Sequence, residues 1–524
     1  MDCLLRLSGA RLLSVVFAGL VAFAPSPVDA FAPSAFRYAD AGAVTEAATG
    51  MAEGAVAVEV DPIAIDAAVK AGRLTLALPD GRSASLLDLR RESDGAAAWS
   101  LTGRVDGDAL ERRAVLTVAP DALFGVIPSP DGGLWQVSTV RGEVHIGPAG
   151  GLIPPGAEST RCFSAVCAKR DTAEPSLNPT GGVAESDVLV PVRPKRDGIA
   201  AQMADATASS SSETTIDVLG LYSADLAALR GSPAAAEAEF RNAIAIANVA
   251  HQESGSPVRF RLVGLRSIEI PAASSNLTVL NDVTNAESYG GVALRALRDE
   301  LAADLVAVLR PYNGGSTCGI AWGVGFGLSP SAEWSEFGVS VSNVAPCGPY
   351  TLAHELGHNL GSHHDIETVR RSAPNLERGA YLYSYGYRQS ATPAFATVMA
   401  YPEGGAQVQL GRFSHPGGSA CAGVPCGIAT EADNVRSMRL MAPRVARFRD
   451  PSGQLSVLDG SVAEGDSDRR FAAVTVRFGR PAPSGGIEFT IETQADSAAA
   501  GTDFEPLVPT RMRIPEGQSS LSVS

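Results

Sequence analysis

Between Ala55 and Gly147 apolar and polar positions alternate with period two, broken by turn residues, as in Arg73-Leu74-Thr75-Leu76-Ala77-Leu78 ahead of Pro79-Asp80-Gly81. Such runs predict antiparallel strands and hairpins. No titratable residues cluster there, so the stretch reads as a β-rich unit without chemistry of its own. Over residues 170–214 the periodicity is lost, and Pro175, Pro179, Gly181, Gly182, Pro191, Pro194 and the run Ser209 to Ser212 give linker composition. From Ile216 the pattern predicts strand 216–222, amphipathic helix 234–252, strand 258–270, helix 292–302, strand 305–309, a Gly-rich segment 314–327, strand 337–344 and a helix starting near Pro349. Strands interleaved with helices predict an α/β or α+β unit with a mostly parallel sheet. Beyond Pro451 only strands are predicted, at 474–478, 487–491 and the last residues Leu521 to Ser524, and a module stopping on a strand reads as incomplete.

The first 30 residues change the picture of the compartment. Arg6 and Arg11 precede an apolar run from Leu12 to Ala24 and the small-residue site Val28-Asp29-Ala30, which predicts a secretory signal cleaved after Ala30. The run is too short for a membrane span, which needs roughly 20 residues. Seven cysteines agree with export: Cys3 leaves with the signal, and Cys162/Cys167, Cys318/Cys347 and Cys421/Cys426 remain as local pairs, read as disulfides. With 42 Lys+Arg against 57 Asp+Glu the formal charge is −15, which argues against nucleic acid or an anionic membrane as partner. Lysine occurs only at Lys70, Lys169 and Lys195 in an Arg-rich chain, which points to a bacterial source. In the linker, Arg193-Pro194-Lys195-Arg196 reads either as solvated charge or as a processing site that frees the downstream chain.

Histidine locates the chemistry. Four of the seven, His354, His358, His363 and His364, fall within eleven residues, in Thr351-Leu352-Ala353-His354-Glu355-Leu356-Gly357-His358-Asn359-Leu360-Gly361-Ser362-His363-His364-Asp365. Four apart on a helix, His354 and His358 share one face and can share a metal. Gly361 lets the chain leave the helix so that His364 returns as third ligand. Three neutral imidazoles leave one position of a tetrahedral zinc open, the stoichiometry of a catalytic site. Glu355, about 100° round the helix from its neighbour, is placed to reach a zinc-bound water as general base for peptide-bond hydrolysis.

The string resembles the metzincin zinc signature, and Asp365 after the third histidine is similar to the reprolysin/adamalysin branch. The likeness extends over Ile216 to Arg449. It implies an α+β catalytic domain at residues 215–450 built on a twisted mixed sheet with an active-site helix. It selects His364 over His363 as ligand and makes His363 a neighbour. It implies that Met399, in Thr397-Val398-Met399-Ala400-Tyr401, forms the methionine turn under the zinc. Tyr401 resembles the tyrosine that astacins and serralysins place near the metal and that animal reprolysins lack, and the phenol suits an oxyanion-stabilising role. Gly319-Ile320-Ala321-Trp322 looks like the edge strand that aligns extended substrate, tethered by Cys318 and Cys347 to the start of the helix. Residues Gly411 to Pro416 would line the specificity pocket, and Ala432 to Phe448 would form the closing helix.

The same resemblance makes residues 31–169 a β-rich propeptide and 170–214 the processing linker. Metzincin zymogens are silenced by a propeptide group at the zinc; Cys162 and Cys167 either offer that thiolate or bond to each other, which leaves the group unidentified. The tail, 451–524, is similar to part of a Calx-β sandwich, with Glu464, Asp496 and Asp503 as candidate calcium ligands. The chain is thus expected to be a secreted zinc metalloendopeptidase made as a zymogen and acting on protein or peptide substrate. The alternative is an adhesion or matrix-binding protein that uses the Calx-β-like module and carries a vestigial metal domain.

Overall fold

The computed structural model describes residues 35–38, 54–150, 187–189, 213–449 and parts of 455–523, with short breaks at 94–96, 131, 328–331, 373–377, 404–406 and 418–420. The signal segment, Cys162, Cys167, the basic cluster at 193–196 and the calcium candidates Glu464, Asp496 and Asp503 lie outside the described residues.

The alternating N-terminal segment forms a nine-stranded antiparallel sheet. From Arg73–Ala77 to Glu143–Pro148 it is a meander, and Val56–Val60 and Phe36–Tyr38 extend it past the last of those strands. The sheet curls until Tyr38, on one edge strand, donates its hydroxyl to the Ala77 carbonyl on the other at 2.6 Å. A helix at Pro62–Ala71, absent from the period-two reading, covers the curl and buries Ile65 among Leu74, Leu76 and Leu86. Its signals are local: Asp61 caps the amides of Ile63 and Ala64, proline opens the first turn, and Gly72 closes the helix at φ +73°.

A six-stranded sheet organises the next unit. Its spatial order is Val188–Leu189, Gly319–Trp322, Val339–Asn343, Leu305–Arg310, Thr214–Ser223, Val258–Ile268, with every pairing parallel except that of Gly319–Trp322 to Val339–Asn343. Alternation on Thr214–Ser223 divides the core: Ile216 and Val218 face the long helix Pro233–Glu253 and the helix Thr351–Asn359, whereas Leu219 and Leu221 face the helix Asn276–Asn285. Leu352 and Leu356 are buried with Phe240, Met399, Phe413 and Met438, at about 1.5–3 kcal/mol for each large apolar side chain. That burial fixes which face of the helix Thr351–Asn359 remains for chemistry.

The two units meet along the long helix. Ala235 and Ala238 are small enough for the first sheet to approach through Ala98, Ala122 and Phe124, and Ile246 packs against Val115, Val126 and Tyr350. Asn242 donates to Thr117 Oγ1 at 3.1 Å and to the Phe124 carbonyl at 3.3 Å. Glu253 pairs with Arg113 of the first sheet at 2.6 Å and with Arg412 at 3.2 Å. In the tail, Leu455–Leu458, Val474–Phe478 and Ser520–Val523 form one antiparallel sheet, and Ile487–Ile491 pairs with Thr510–Ile514 in another.

His251, on the long helix, is fully buried, tilted at 30° against Phe413 with ring centroids 4.4 Å apart and edge-on to Phe260, with Nδ1 2.9 Å from Ser256 Oγ. Burial pushes its imidazole down from 6.5 to about 3. The unfolded chain therefore takes up a proton that the folded chain refuses as pH falls below 6.5. Stability from this group is complete at neutral pH and is lost progressively toward pH 3, by about 2–3 kcal/mol at pH 4.5. Urea midpoints measured from pH 7 to 4.5 should fall, and His251→Phe should flatten that slope. An unchanged slope in the variant would refute the assignment.

Candidate metal centre

His354 and His358 project from one face of the helix Thr351–Asn359, both buried. Each ring is held from behind by a carbonyl: His354 Nδ1 lies 2.8 Å from Val398 O, and His358 Nδ1 lies 2.8 Å from Ser362 O. A carbonyl only accepts, so the proton sits on Nδ1 and each Nε2 presents a lone pair. Burial first, then the neighbouring His354 and His364, push the His358 imidazole well below its usual range, so the ring is neutral, as a metal requires.

Gly361 ends the helix at φ +77°, and a Cβ there would stand 2.6 Å from that of Ala380. The reversed chain is locked by His363 N donating to Ser384 O at 2.7 Å and Gly386 N to His363 O at 3.1 Å. His364 Nε2 thereby comes to 3.1 Å from His358 Nε2, and His354 Nε2 stands at the same distance. Nitrogens on a tetrahedral zinc are about 3.3 Å apart, so three lone pairs converging this closely fit that ion. Met399 is fully buried beneath the helix, where a Cβ on Gly357 would strike its sulfur.

Glu355 faces the strand Gly319–Trp322, pressed so near that a Cβ on Gly319 would collide with its carboxylate. Its Oε2 is buried without a hydrogen-bond partner, and burial, then the charge of Asp187, push its carboxyl well above the usual range. Asn359, one residue beyond His358, donates to Trp322 O at 3.0 Å and to Val339 O at 3.2 Å, and so fastens the helix to this strand and to the neighbouring strand Val339–Asn343.

The fourth member comes from elsewhere in the chain. Asp187 Oδ1 lies 2.7 Å from His364 Nε2 and 3.9 Å from His358 Nε2, and Oδ2 lies 3.3 Å from His354 Nε2. Asp187, His354, His358 and His364 are the group of described residues whose ligand atoms could surround one metal ion. Burial raises the Asp187 carboxyl, but the neighbouring His364 and His354 outweigh it and hold it well below the usual carboxylate range. Oδ1 is buried without a hydrogen bond despite its closeness to His364, the arrangement expected where two electron-pair donors face a common cation. Tyr401 donates its hydroxyl to Asp187 Oδ2 and stands 3.3 Å from His364 Nε2.

Several expected positions take other places. Gly319–Trp322 is a strand, but its outer edge is not open: Ala321 N donates to Asp187 O at 2.9 Å and Gly323 N to Leu189 O at 2.7 Å, with Val188–Leu189 paired alongside. The segment at Gly411–Pro416 does not wall a pocket with its first residues: Gly411 abuts Tyr350, Arg412 reaches Glu111 O at 3.2 Å in the first sheet's unit, and Phe413 lies in the core. His415 is partly exposed, 3.6 Å from Asp433. His363 is buried between Phe326 and Tyr385 and accepts from His364 N at 2.8 Å, a supporting side chain. Asp365 caps the next helix through Thr368 and lies 3.3 Å from Arg388. Disulfides join Cys318 to Cys347 and Cys421 to Cys426.

Residues 212–432 match the family model for the Reprolysin-like metallopeptidases, family M12B. A Peptidyl-Asp metalloendopeptidase from Pseudomonas aeruginosa is 30% identical over 274 residues, covering 49% of this chain and 44% of the relative. A second, from Stenotrophomonas maltophilia strain R551-3, is 30% identical over 245 residues, covering 47% and 55%. The chain thus spans about half the length of the curated relatives it matches. Among solved structures, metalloproteinase-II from Bacteroides fragilis aligns with a TM-score of 0.32 at 14% identity, over 56% of this chain and 81% of that one. No helix among the described residues is long and apolar enough to cross a membrane.

The carbonyls of Val398 and Ser362 carry no sequence signal, because any residue supplies one. Asp187 had a faint one: Asp187-Val188-Leu189-Val190 is a short strand-like run in a stretch of linker composition.

Proposed function

We propose that the chain is an exported zinc metalloendopeptidase made as a zymogen, with His354, His358 and His364 as zinc ligands and Glu355 as general base. The convergence of three buried Nε2 atoms beside an unpartnered carboxylate carries this reading. Zinc, when bound, polarises a scissile carbonyl and lowers the pKa of a coordinated water to about 7. The three imidazoles would bind it as neutral ligands, and those of His354 and His358 are oriented through their Nδ1 contacts to the Val398 and Ser362 carbonyls. Glu355 takes the proton of the attacking water and delivers it to the departing amine nitrogen. Tyr401 donates its hydroxyl to the oxyanion that develops on the carbonyl. Gly319–Trp322 supplies backbone hydrogen bonds to extended substrate, and the relatives' name suggests peptides containing aspartate at the cleaved bond.

The test uses the processed protein with casein and with a peptide containing a single aspartate. Hydrolysis should fall to background when 1,10-phenanthroline strips the metal and return when zinc is restored. Hydrolysis continuing at its full rate with no metal left in the protein would refute the proposal.

A further inference from the structure

We infer that Asp187 is the silencing group, an internal carboxylate that takes the position a substrate water needs, and that the strand Val188–Leu189 simultaneously covers the substrate edge. The inference rests on the zinc-protease reading above and names the regulation of that site. Asp187 comes from a segment well before the helix, yet it reaches all three imidazole Nε2 atoms within 3.9 Å and is itself buried. A catalytic zinc site keeps one position open, and four protein ligands describe a closed one.

The same three residues block the site twice. The Asp187 carboxylate stands at the metal position, and the Asp187 and Leu189 carbonyls consume the Ala321 and Gly323 amides that would pair with a substrate backbone. Tyr401, whose hydroxyl is wanted at the oxyanion, is likewise engaged by Asp187. One segment therefore holds the metal, the rim and the phenol at once, and its departure releases all three. A chain break between Leu189 and Glu213 severs the segment from the catalytic unit. It is an ordinary hydrolysis in which water gives its hydroxyl to the new carboxylate and a proton to the new amine. The segment then leaves because its carboxylate loses the effective concentration that tethering provides.

The measurement is acetohydroxamate binding to full-length, cobalt(II)-loaded protein, followed by the visible absorption of the metal. Acetohydroxamate is too small to depend on the rim strand, so it reads the metal position alone. All chains carry Glu355→Ala to prevent self-cleavage. Adding Asp187→Ala, or Asp187→Asn should the alanine variant fail to fold, is expected to tighten binding at least ~10-fold, by removing a tethered competitor. Equal affinity with and without the Asp187 substitution, at equal metal content, would overturn the inference. If that happens while processed wild-type protein still hydrolyses casein in a metal-dependent way, the protease reading survives and only the silencing role fails. A chain that binds no metal and cleaves nothing removes both.

Discussion

Glu355→Gln in the processed chain should lower casein hydrolysis by roughly 10²–10⁴-fold, the range general acid–base groups contribute, without lowering bound metal. Glutamine keeps the size of glutamate and the contact with Gly319, so the helix and rim should stay in place. What it loses is the capacity to take a proton. The unpartnered, buried Oε2 makes the prediction sharp: no hydrogen bond within the protein depends on it, so the rate should fall through chemistry and not through unfolding. Metal content by mass spectrometry and the urea midpoint, measured beside the rate, separate these outcomes. A variant with wild-type turnover would refute the role of Glu355. A variant that has lost metal would make Glu355 a structural partner of the ligand set.

Legibility in the sequence followed the range of each interaction. Strands at 216–222 and 305–309 and the helix at 234–252 were readable because a 2.0 or 3.6 period is written in consecutive residues, and each matches an observed element to within a few positions. The helix at Pro62–Ala71 was missed because the flanking alternation dominates the stretch, although Asp61, Pro62 and Gly72 mark both its ends. The helix at Asn276–Asn285 was missed too. The histidine cluster could be read because spacing of four on a helix is a local property, and Gly361 announced the reversal that brings His364 back. Asp187 could not be placed: it meets the histidines only through a pairing with Gly319–Trp322 that no local pattern encodes. Arg412 failed for the same reason, since its partner Glu253 lies on the long helix and its carbonyl partners on the first sheet's loops.

Asp108→Ala should destabilise the N-terminal sheet by about 3–5 kcal/mol, because it strands a buried charge. Asp108 and Arg112 have side chains only 1% and 3% exposed and meet bidentately, Arg112 Nη2 to Oδ1 at 2.9 Å and Nε to Oδ2 at 3.0 Å. Arg112 also donates to the carbonyls of Ser129, Gly132 and Gly133, so its guanidinium cannot swing out to water without breaking a second loop. The Asp108 carboxylate in turn accepts from the Arg112 backbone amide at 2.7 Å and shapes the turn that carries Leu110 and Glu111. Arg412 grips those two carbonyls, so loosening the turn should also weaken the seam between the first sheet and the long helix. Urea unfolding of the full chain, followed by tryptophan fluorescence with Trp99 and Trp135 in this sheet, should show the loss as an earlier transition. The double variant Asp108→Ala, Arg112→Met, which removes both charges, should recover much of it. A single variant within about 1 kcal/mol of wild type would mean that water or another carboxylate compensates Arg112, because a buried guanidinium left without a counter-charge cannot be that inexpensive.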